Sequence, residues 1–418
     1  CKLKTESNQT KRKVLLWTSI IVNLGFLGFF KYYNFFIENF ITAFSLIGTK
    51  IKPRSLSIIL PVGISFYTFQ TLSYTIDVYK KKLAPTKDFI SFSAFVSFFP
   101  QLVAGPIERA THLLPQFYKK RTFNSTKAID GMRQILWGLF KKIVIANNCA
   151  EYANIIFNNS SDYSGSTLFM GALFFTFQIY GDFSGYSDIA IGTSRLFGFN
   201  LMPNFKSPYF SRDIAEFWRR WHISLSTWFR DYLYIPLGGS RGGTWTKVRN
   251  TFLIFIVSGF WHGANWTFIV WGILNAIYFL PLLLSRSNRN NLGTVALGKS
   301  FPCLKELFSI LLTFSLIVFS WIFFRADNIQ HAISYVLEIF SPTLFRLPNF
   351  PGINSSITTI TLIIIFIIIE WKGRDSEHAI ANLGAKWPPL LRHLIYYIII
   401  FLIFFFAGKE QQFIYFQF

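Results

Sequence analysis

An almost wholly apolar stretch from Asn250 to Leu284 constrains this chain more than any other feature. A helix that crosses a bilayer needs about 20 apolar residues, so this stretch is long enough for a hairpin of two helices. Its one interruption, SGFWHGANW at residues 258–266, places His262 near the turn of the hairpin. A charged side chain at that depth costs about 2.5 kcal/mol or more, so His262 is a hypothesis for a functional site. The alternative is a neutral, hydrogen-bonded histidine that only joins helices.

Basic residues flank this stretch at both ends. Lys247 and Arg249 precede it, and Arg286 and Arg289 follow it. Because cytoplasmic loops carry an excess of lysine and arginine, we expect both ends on the cytoplasmic side. A helical rise of about 1.5 Å per residue then puts His262 at a depth of roughly 18 Å.

The composition extends the membrane interpretation to the whole chain. Of the 418 residues, 52% are hydrophobic and 15% are charged, whereas soluble domains contain about 25% charged residues. Apolar stretches lie near residues 14–30, 56–76, 89–104, 132–146, 166–181, 250–284, 305–324, 356–370 and 393–407. Several are too short for one perpendicular span, which predicts tilted, broken or re-entrant helices. The predicted fold class is an all-α polytopic membrane protein with about eight to ten membrane segments.

The net charge of +21 is compatible with a nucleic-acid-binding protein, but its distribution argues against one. The basic residues form short clusters between apolar stretches, at residues 11–13, 80–82 and 119–121, instead of covering one soluble face. We expect these clusters on the cytoplasmic side, where they can attract anionic lipids or an anionic acyl donor. No nucleic-acid partner is predicted.

Three isolated cysteines, Cys1, Cys149 and Cys303, indicate neither a disulfide framework nor a metal site. The chain begins with Cys1 and a basic, polar stretch and shows no signal segment. We therefore expect that it lacks its first membrane segments, in preference to a lipidated mature cysteine. No repeat or long linker divides the rest, which predicts a single integral-membrane domain over residues 1–418.

The polar segment 199–250 contains a second informative histidine, His222. Residues 212–232 (RDIAEFWRRWHISLSTWFRDY) lack proline and glycine and are predicted to form one amphipathic helix at the membrane interface. Aromatic residues such as Trp221 and Trp228 share one face, which is turned toward lipid or other helices, and arginines share the opposite face. His222 falls between the faces. It is therefore either a site residue directed inward or one more interfacial polar residue.

Residues 180–188 (YGDFSGYSD) place two carboxylates, Asp182 and Asp188, inside an apolar run. Non-helical backbone at membrane depth is tolerated only beside protein or a water-filled cavity, so this segment is predicted to break the helix and line a polar interior. The carboxylates are candidate bases, ion ligands or ion-pair partners. We prefer ion pairs with Arg219 and Arg220, because single carboxylates without a neighbouring histidine say little about chemistry.

Residues 99–109 (FPQLVAGPIER) are a further helix-breaking stretch, interpreted as a cavity wall. The histidines His112, His331, His378 and His393 lie in polar loops or at segment ends and are interpreted as ordinary surface or interfacial residues. The sequence has no G-x-S-x-G elbow, H-E-x-x-H site, Walker loop or Rossmann fingerprint. It therefore indicates no metal site and none of the common soluble-enzyme chemistries.

Two motifs carry a family resemblance: FWRRWHISLSTWFRDYLYIPLGG at residues 217–239 and GFWHGAN at residues 259–265. Together they resemble the membrane-bound O-acyltransferase family, and the pair is highly specific. Residues 98–109, 180–188 and 413–418 are similar to the same family, so the likeness spans nearly the whole chain. It is close to the bacterial branch, whose members serve alginate O-acetylation and D-alanyl transfer to teichoic acid.

The resemblance implies a ring of tilted, broken and re-entrant helices around a central tunnel. It implies that His262 is the membrane-embedded catalytic residue and that His222 is the second histidine of the bacterial motif. It further implies an acetyl donor from the cytoplasm and an acceptor outside, either a polysaccharide hydroxyl or the serine of an esterase-like partner protein. The expected location is the bacterial inner membrane, which the chain crosses several times.

On this basis His262 is predicted to be the general base that deprotonates the acceptor hydroxyl as it attacks acetyl-CoA or another acyl thioester. Imidazole changes charge near physiological pH, so the neutral ring can accept that proton. His222, Ser226 or Asn265 can orient the ring or bind the oxyanion, with Asp182 as a supporting residue. An acyl-histidine intermediate stays open. No bound cofactor is predicted.

Other functions are compatible with parts of the pattern. A transporter of an anionic glycan or lipid would use similar broken helices, but it does not explain two histidines that each follow a tryptophan. A scaffold in an export complex needs neither histidine. The residues do not separate alginate from cellulose, another exopolysaccharide or teichoic acid. An alginate-like exopolysaccharide is preferred by closeness of motif, with D-alanyl transfer to teichoic acid as the alternative.

Overall fold

The computed structural model describes residue 3 and residues 6–48, 56–408 and 411–414, and these residues form helices and no strands. This confirms the predicted all-α polytopic class. Cys1 and the end of the 413–418 motif lie outside the described residues. The helices are α1 (Gln9–Leu46, with a π-helical turn at Gly28–Tyr32), α2 (Ile64–Tyr79), α3 (Phe89–Val96), α4 (Ala110–Tyr118), α5 (Ser125–Leu139), α6 (Asn147–Asn158), α7 (Gly165–Leu196), α8 (Ile214–Arg220), α9 (Ile223–Phe229), α10 (Thr244–His262), α11 (Trp266–Leu284), α12 (Leu304–Arg325), α13 (Ile329–Ile339), α14 (Ile353–Gly373) and α15 (Pro389–Phe406).

Five of these helices, α1, α11, α12, α14 and α15, are long and apolar enough to cross a membrane by length and composition. The other apolar stretches found in the sequence fall mainly on helices that are shorter or more polar. The 16 residues of α2 are one example. Another is α5, which continues through a π-helical segment, Phe140–Ala146, into α6. The prediction of short and irregular segments therefore agrees with the structure.

Helix α7 is the centre of the fold and packs against α5, α6, α12 and α13. Glycines let α5 and α7 approach closely. A Cβ atom on Gly185 would lie 2.8 Å from the carbonyl oxygen of Gly138, and one on Gly192 would lie 2.5 Å from that of Gly131. Small residues at such crossings are typical of helix contacts in membranes. The expected break at 180–188 is therefore wrong, because the glycines there serve helix packing and α7 runs through without interruption.

The single helix predicted for residues 212–232 is also wrong. Its backbone breaks between α8 and α9, where Trp221 is extended and His222 adopts a left-handed conformation with φ of 44°. The cause lies outside the segment. The carbonyl oxygen of Asn204 accepts the Ile223 N–H at 2.9 Å, and its Oδ1 accepts the Ser224 N–H at 3.3 Å. These bonds satisfy amides that open at the start of α9.

Helices α10 and α11 form the hairpin that the sequence predicts, with its turn at residues 263–265. Glycines again set the close approach. A Cβ atom on Gly259 would lie 2.2 Å from the carbonyl oxygen of Phe268, and one on Gly272 would lie 2.3 Å from that of Phe255. The hairpin therefore holds His262 at the end of α10 against the start of α11.

Candidate active site

His262 is the last residue of α10 and is half-buried. Its ring packs edge-to-face against three aromatic side chains, with centroid distances of 4.8 Å to Trp261, 5.3 Å to Trp271 and 5.2 Å to Phe324. It also lines a cavity of about 190 Å³, which we call the histidine cavity and which is bounded by Lys31, Val103 and residues 60–66. The imidazole is therefore held in an aromatic environment and is accessible to a small molecule.

Lys31 and Tyr32, in the π-helical turn of α1, fix the backbone at the end of α10. The ammonium of Lys31 donates to the carbonyl oxygens of Trp261 at 2.8 Å and His262 at 3.0 Å. The hydroxyl of Tyr32 donates to the carbonyl oxygen of Phe260 at 2.9 Å. The last carbonyls of a helix have no partner within the helix and carry partial negative charge, so a cation there is stabilising.

Lys31 is not among the site residues predicted from the sequence. Its signal was available, because it is a lone cation within an apolar run, FLGFFKYY, of a membrane segment. An ionisable residue within a membrane segment is by default a hypothesis for a functional site, and its binding partner can be sought.

His222 is buried at the break between α8 and α9, with 1% of its surface exposed. Its Nδ1 lies 3.0 Å from Oδ1 of Asn204. Its ring contacts Phe183 at 4.6 Å and Trp261 at 6.1 Å between centroids. The Trp261 ring thus contacts both imidazoles, and the structure brings the two predicted histidines into one site.

Asp182 is part of a buried ion pair, but its predicted partners are wrong. It pairs with Lys142 at 2.5 Å and accepts the backbone N–H of Ile414 at 2.8 Å. Asp188 pairs in the same way with Lys141, at 2.5 Å. The two lysines lie on the π-helical segment that packs against α7, so each carboxylate meets a cation on the adjoining helix. Asp182 therefore anchors the carboxyl-terminal segment to the core.

The two arginines first expected to pair with these carboxylates have other partners. Arg220 bonds Glu216 at 3.0 Å. Arg219 donates to the carbonyl oxygens of Asn288 and Asn291 at 2.9 and 2.8 Å. The Arg219 bonds connect α8 to the loop after α11, and the Arg220–Glu216 bond lies within α8.

The two proposed supporting residues, Ser226 and Asn265, have different surroundings. The Ser226 hydroxyl donates to the carbonyl oxygen of Trp221 at 3.3 Å. Asn265 caps α11, because its Oδ1 accepts the Thr267 N–H at 3.0 Å, and its amide nitrogen donates to the carbonyl oxygen of Asp327 at 2.7 Å. Asn265 therefore supports the hairpin turn directly, next to His262.

A second cavity, of about 590 Å³, lies on the other side of the hairpin turn. We call it the amide cavity, because much of its wall is polar. Its lining residues are Asn154, Asn158, Gly263, Ala264, Asn265, Phe268, Phe324, Arg325, Ala326, Asp327 and Gln412. Arg325 is held there by Oδ1 of Asn154 at 3.0 Å and of Asn158 at 3.1 Å.

Two helices run from basic residues toward the amide cavity, and a third helix ends beside it. Helix α10 begins beside Lys247 and ends at His262. Helix α12 begins beside Lys305 and ends at Arg325, and α6 ends at Asn158. Under the positive-inside rule, we expect the starts of α10 and α12 on the cytoplasmic side and the amide cavity on the opposite side of the membrane. Within the described part of the chain, no three His, Cys, Asp or Glu side chains group as a metal site.

Comparison with known proteins identifies the family. The model of the membrane-bound O-acyltransferase family matches residues 83–324, more than half of the chain, and this range contains both His222 and His262. The chain belongs to the membrane-bound O-acyltransferase family. It is 41% identical over 359 residues to a probable alginate O-acetylase of Pseudomonas aeruginosa, covering 85% of this chain and 66% of that protein. The resemblance in the sequence is thereby confirmed, and the chain is classed with acyltransferases.

Two further relatives show the range of the family. The chain is 40% identical over 356 residues to a peptidoglycan O-acetyltransferase of Helicobacter pylori, covering 79% of this chain and 65% of that protein. It is 30% identical over 270 residues to a teichoic acid D-alanyltransferase of Streptococcus thermophilus, covering 58% of this chain and 62% of that protein. The chain thus spans about two thirds of the length of the curated relatives that it matches.

Proposed function

We propose that this chain is a single integral-membrane domain that transfers an acyl group, most simply acetyl, to a hydroxyl of an extracytoplasmic polysaccharide. One observation carries the proposal. His262 lines the histidine cavity, and the Trp261 ring beside it contacts the rings of both His262 and His222. Both histidines lie within the range that matches the acyltransferase family.

In the proposed reaction, the neutral ring of His262 accepts the proton of the acceptor hydroxyl. The hydroxyl oxygen attacks the thioester carbonyl, and the new C–O bond forms as that proton leaves. Collapse of the tetrahedral intermediate then breaks the C–S bond, and the departing thiolate takes up a proton from the imidazolium. Such proton transfer contributes about 10²- to 10⁴-fold to a rate when the base is well placed.

The surroundings of His262 favour transfer over hydrolysis. Trp261, Trp271 and Phe324 cover the ring edge-to-face, and Lys31 fixes the backbone beneath it. An apolar wall of this kind keeps bulk water from an activated acyl group. The rigid turn also holds the base in one place, which lowers the entropic cost of bringing base and hydroxyl together.

The amide cavity supports an acceptor with several hydroxyls. Side-chain amides both donate and accept hydrogen bonds, as hydroxyl groups require. The wall combines Asn154, Asn158 and Gln412 with Arg325 and the Phe268 ring, and the volume of about 590 Å³ is in the range of small-molecule sites. The cavity lies at the ends of α10 and α12 that are farthest from Lys247 and Lys305, which supports an acceptor outside the cytoplasm.

The donor proposed is a cytoplasmic thioester such as acetyl-CoA. The excess positive charge of the chain, +21, lies largely in clusters between membrane segments, where it can attract an anionic carrier. With such a donor inside and an acceptor outside, the protein resides in the inner membrane. An esterase-like partner protein is a proposed relay between His262 and the final polymer.

The choice of acetyl and of an alginate-like polymer rests on the relatives. Those at 40% and 41% identity carry O-acetyl transfer in their names, to peptidoglycan or alginate, whereas the one at 30% identity carries D-alanyl transfer. Transfer to a sugar hydroxyl is common to the first two. D-Alanyl transfer to teichoic acid is the second candidate, and the same His262 chemistry would serve it.

The test is His262→Ala in cells that make the polymer, with the acetyl content of the surface polysaccharide measured by mass spectrometry. We expect a loss of about 10²-fold or more, because the base is gone. His393→Ala is the matched control, since His393 is exposed on α15 and the chemical change is identical. Protein abundance and exported polymer should stay constant. Unchanged acetylation would refute the proposal, and lost export with normal acetylation of the remaining polymer would favour a transporter.

A further inference from the structure

Asn204, in the loop after α7, contacts the His222 region through both its backbone and its side chain. The backbone carbonyl holds the Ile223 N–H at 2.9 Å, and Oδ1 lies 3.0 Å from Nδ1 of His222. Asn204 is itself buried, with 1% of its surface exposed. A buried amide this close to an imidazole must satisfy its hydrogen bonds there, so its orientation determines the protonation of the ring.

The orientation of the Asn204 amide follows from its other partners. Its Oδ1 lies 3.3 Å from the Ser224 backbone nitrogen, which can only donate. The Ser224 hydroxyl accepts the Ile107 N–H at 3.0 Å and is free to donate to the same Oδ1 at 2.8 Å. The amide nitrogen is directed to the Ser187 hydroxyl at 3.0 Å. The atom that faces His222 is therefore an acceptor, and Nδ1 of His222 must carry the hydrogen.

The opposite nitrogen of the ring, Nε2, is the atom whose role the tautomer decides. Nε2 of His222 is buried and has no hydrogen-bond partner among the described residues. In a neutral imidazole with hydrogen on Nδ1, Nε2 holds the lone pair and accepts. Of the ionisable groups on the neighbouring elements, Asp182 pairs with Lys142 and Glu108 pairs with His112 at 2.7 Å. The Lys31 ammonium donates to the carbonyl oxygens of Trp261 and His262, and the His262 ring lies across Trp261 from His222.

We infer that Asn204 is a positioning residue, which locks His222 in the Nδ1–H tautomer and leaves Nε2 as the hydrogen-bond acceptor of the site. The role of that acceptor in transfer rests on the proposed function, whereas the tautomer does not. Asn204 lines neither the histidine cavity nor the amide cavity. It acts through His222, whose ring shares Trp261 with His262.

The first test is spectroscopic. Solid-state ¹⁵N NMR of the histidine-labelled protein in lipid bilayers distinguishes the two neutral tautomers, and His222→Gln identifies the signal. We expect the Nδ1–H form in the natural protein and in Asn204→Asp, which keeps an acceptor oxygen. In Asn204→Leu we expect the Nε2–H form to appear. An Nε2–H signal in the natural protein, or no change in Asn204→Leu, would overturn the inference.

The second test is kinetic and uses acetyl-CoA with a soluble alginate oligosaccharide. Asn204→Leu should lower kcat by about 10²-fold with little change in KM, because the acceptor nitrogen is lost while the cavities remain. Asn148→Leu is the matched control, since Asn148 is also buried and its side chain donates to the carbonyl oxygen of Val144, on its own helical segment, at 2.8 Å. An equal loss in both variants would mark a merely structural role.

Asn204→Asp supplies a third readout that does not depend on a folding defect. A carboxylate beside Nδ1–H stabilises the protonated ring, so the acidic limb of the pH–rate profile should move to higher pH. An unshifted limb would contradict the positioning role. If His262→Ala retains full acetylation, the proposed function fails. If His262→Ala is inactive but the ring proves to be Nε2–H, only the present inference fails.

Discussion

The two histidines sit at two breaks in helical structure that arise in different ways. His262 ends a helix at a turn of small residues, Gly263 and Ala264, within its own motif. His222 lies in a segment without glycine or proline, and its break depends on Asn204, which is remote in sequence. A break with local causes can be found from sequence, and a break with a tertiary cause cannot.

The largest expected effect concerns the hairpin itself. Gly259→Ala would place a Cβ atom 2.2 Å from the carbonyl oxygen of Phe268, and neither backbone can move without opening α10 from α11. We expect the overpacking to lower the free energy of unfolding by about 1–3 kcal/mol and to reduce the amount of folded protein strongly. Abundance in membranes and the thermal midpoint in detergent measure it. Gly243→Ala, in open space, is the control. A normal midpoint for Gly259→Ala would show that the turn is not set by this contact.

Lys31→Met tests how α1 supports the same turn. The methionine fills similar space but leaves the carbonyl oxygens of Trp261 and His262 without their shared donor. We expect a cost of about 1–3 kcal/mol in the free energy of unfolding and a lower transfer rate. Lys31→Arg should recover part of both. Lys11→Met is the control, because Lys11 is exposed near the start of α1. A transfer rate equal to that of the control would show that the bonds from Lys31 to the end of α10 do not affect the reaction.

The smallest expected effect is a difference in stability between variants of two serines near His222. The Ser224 hydroxyl joins Asn204 to the Ile107 N–H, whereas that of half-buried Ser226 only donates to the Trp221 carbonyl. Ser224→Ala should lower stability by about 1 kcal/mol, and Ser226→Ala by less than about 0.5 kcal/mol. Thermal midpoints of the two variants measure the difference. The reverse order would restore Ser226 as the supporting residue and weaken the importance of Asn204.

Much of the fold could be predicted because it depends on local pattern. The helical class, the α10–α11 hairpin and the helix-breaking stretch at 99–109 follow from apolar length and from glycine or proline. The segment at 180–188 misled the same reasoning. Its glycines serve the contact with α5, and the resulting close packing lets Lys141 and Lys142 neutralise the two carboxylates.

The candidate site was predicted in its two histidines but not in what holds them. Lys31 could have been found, because one cation in an apolar helix is anomalous. Asn204 could not, because an asparagine in a polar loop carries no signal until the loop is placed against α9. The partner of Asp182 likewise depends on which helices are neighbours, and side-chain type alone does not determine that.

The left-handed backbone at His222 is a strain that the packing of its own side chain must offset. A non-glycine residue at a φ of 44° costs about 1–2 kcal/mol, and glycine would adopt that conformation freely. Replacing His222 by glycine would release that strain but would also remove a buried ring that packs on Phe183 and bonds Asn204, and such large-to-small changes in a core cost about 2–5 kcal/mol. Variants selected only for yield or heat resistance are therefore expected to keep a large side chain at this position despite its unfavourable backbone.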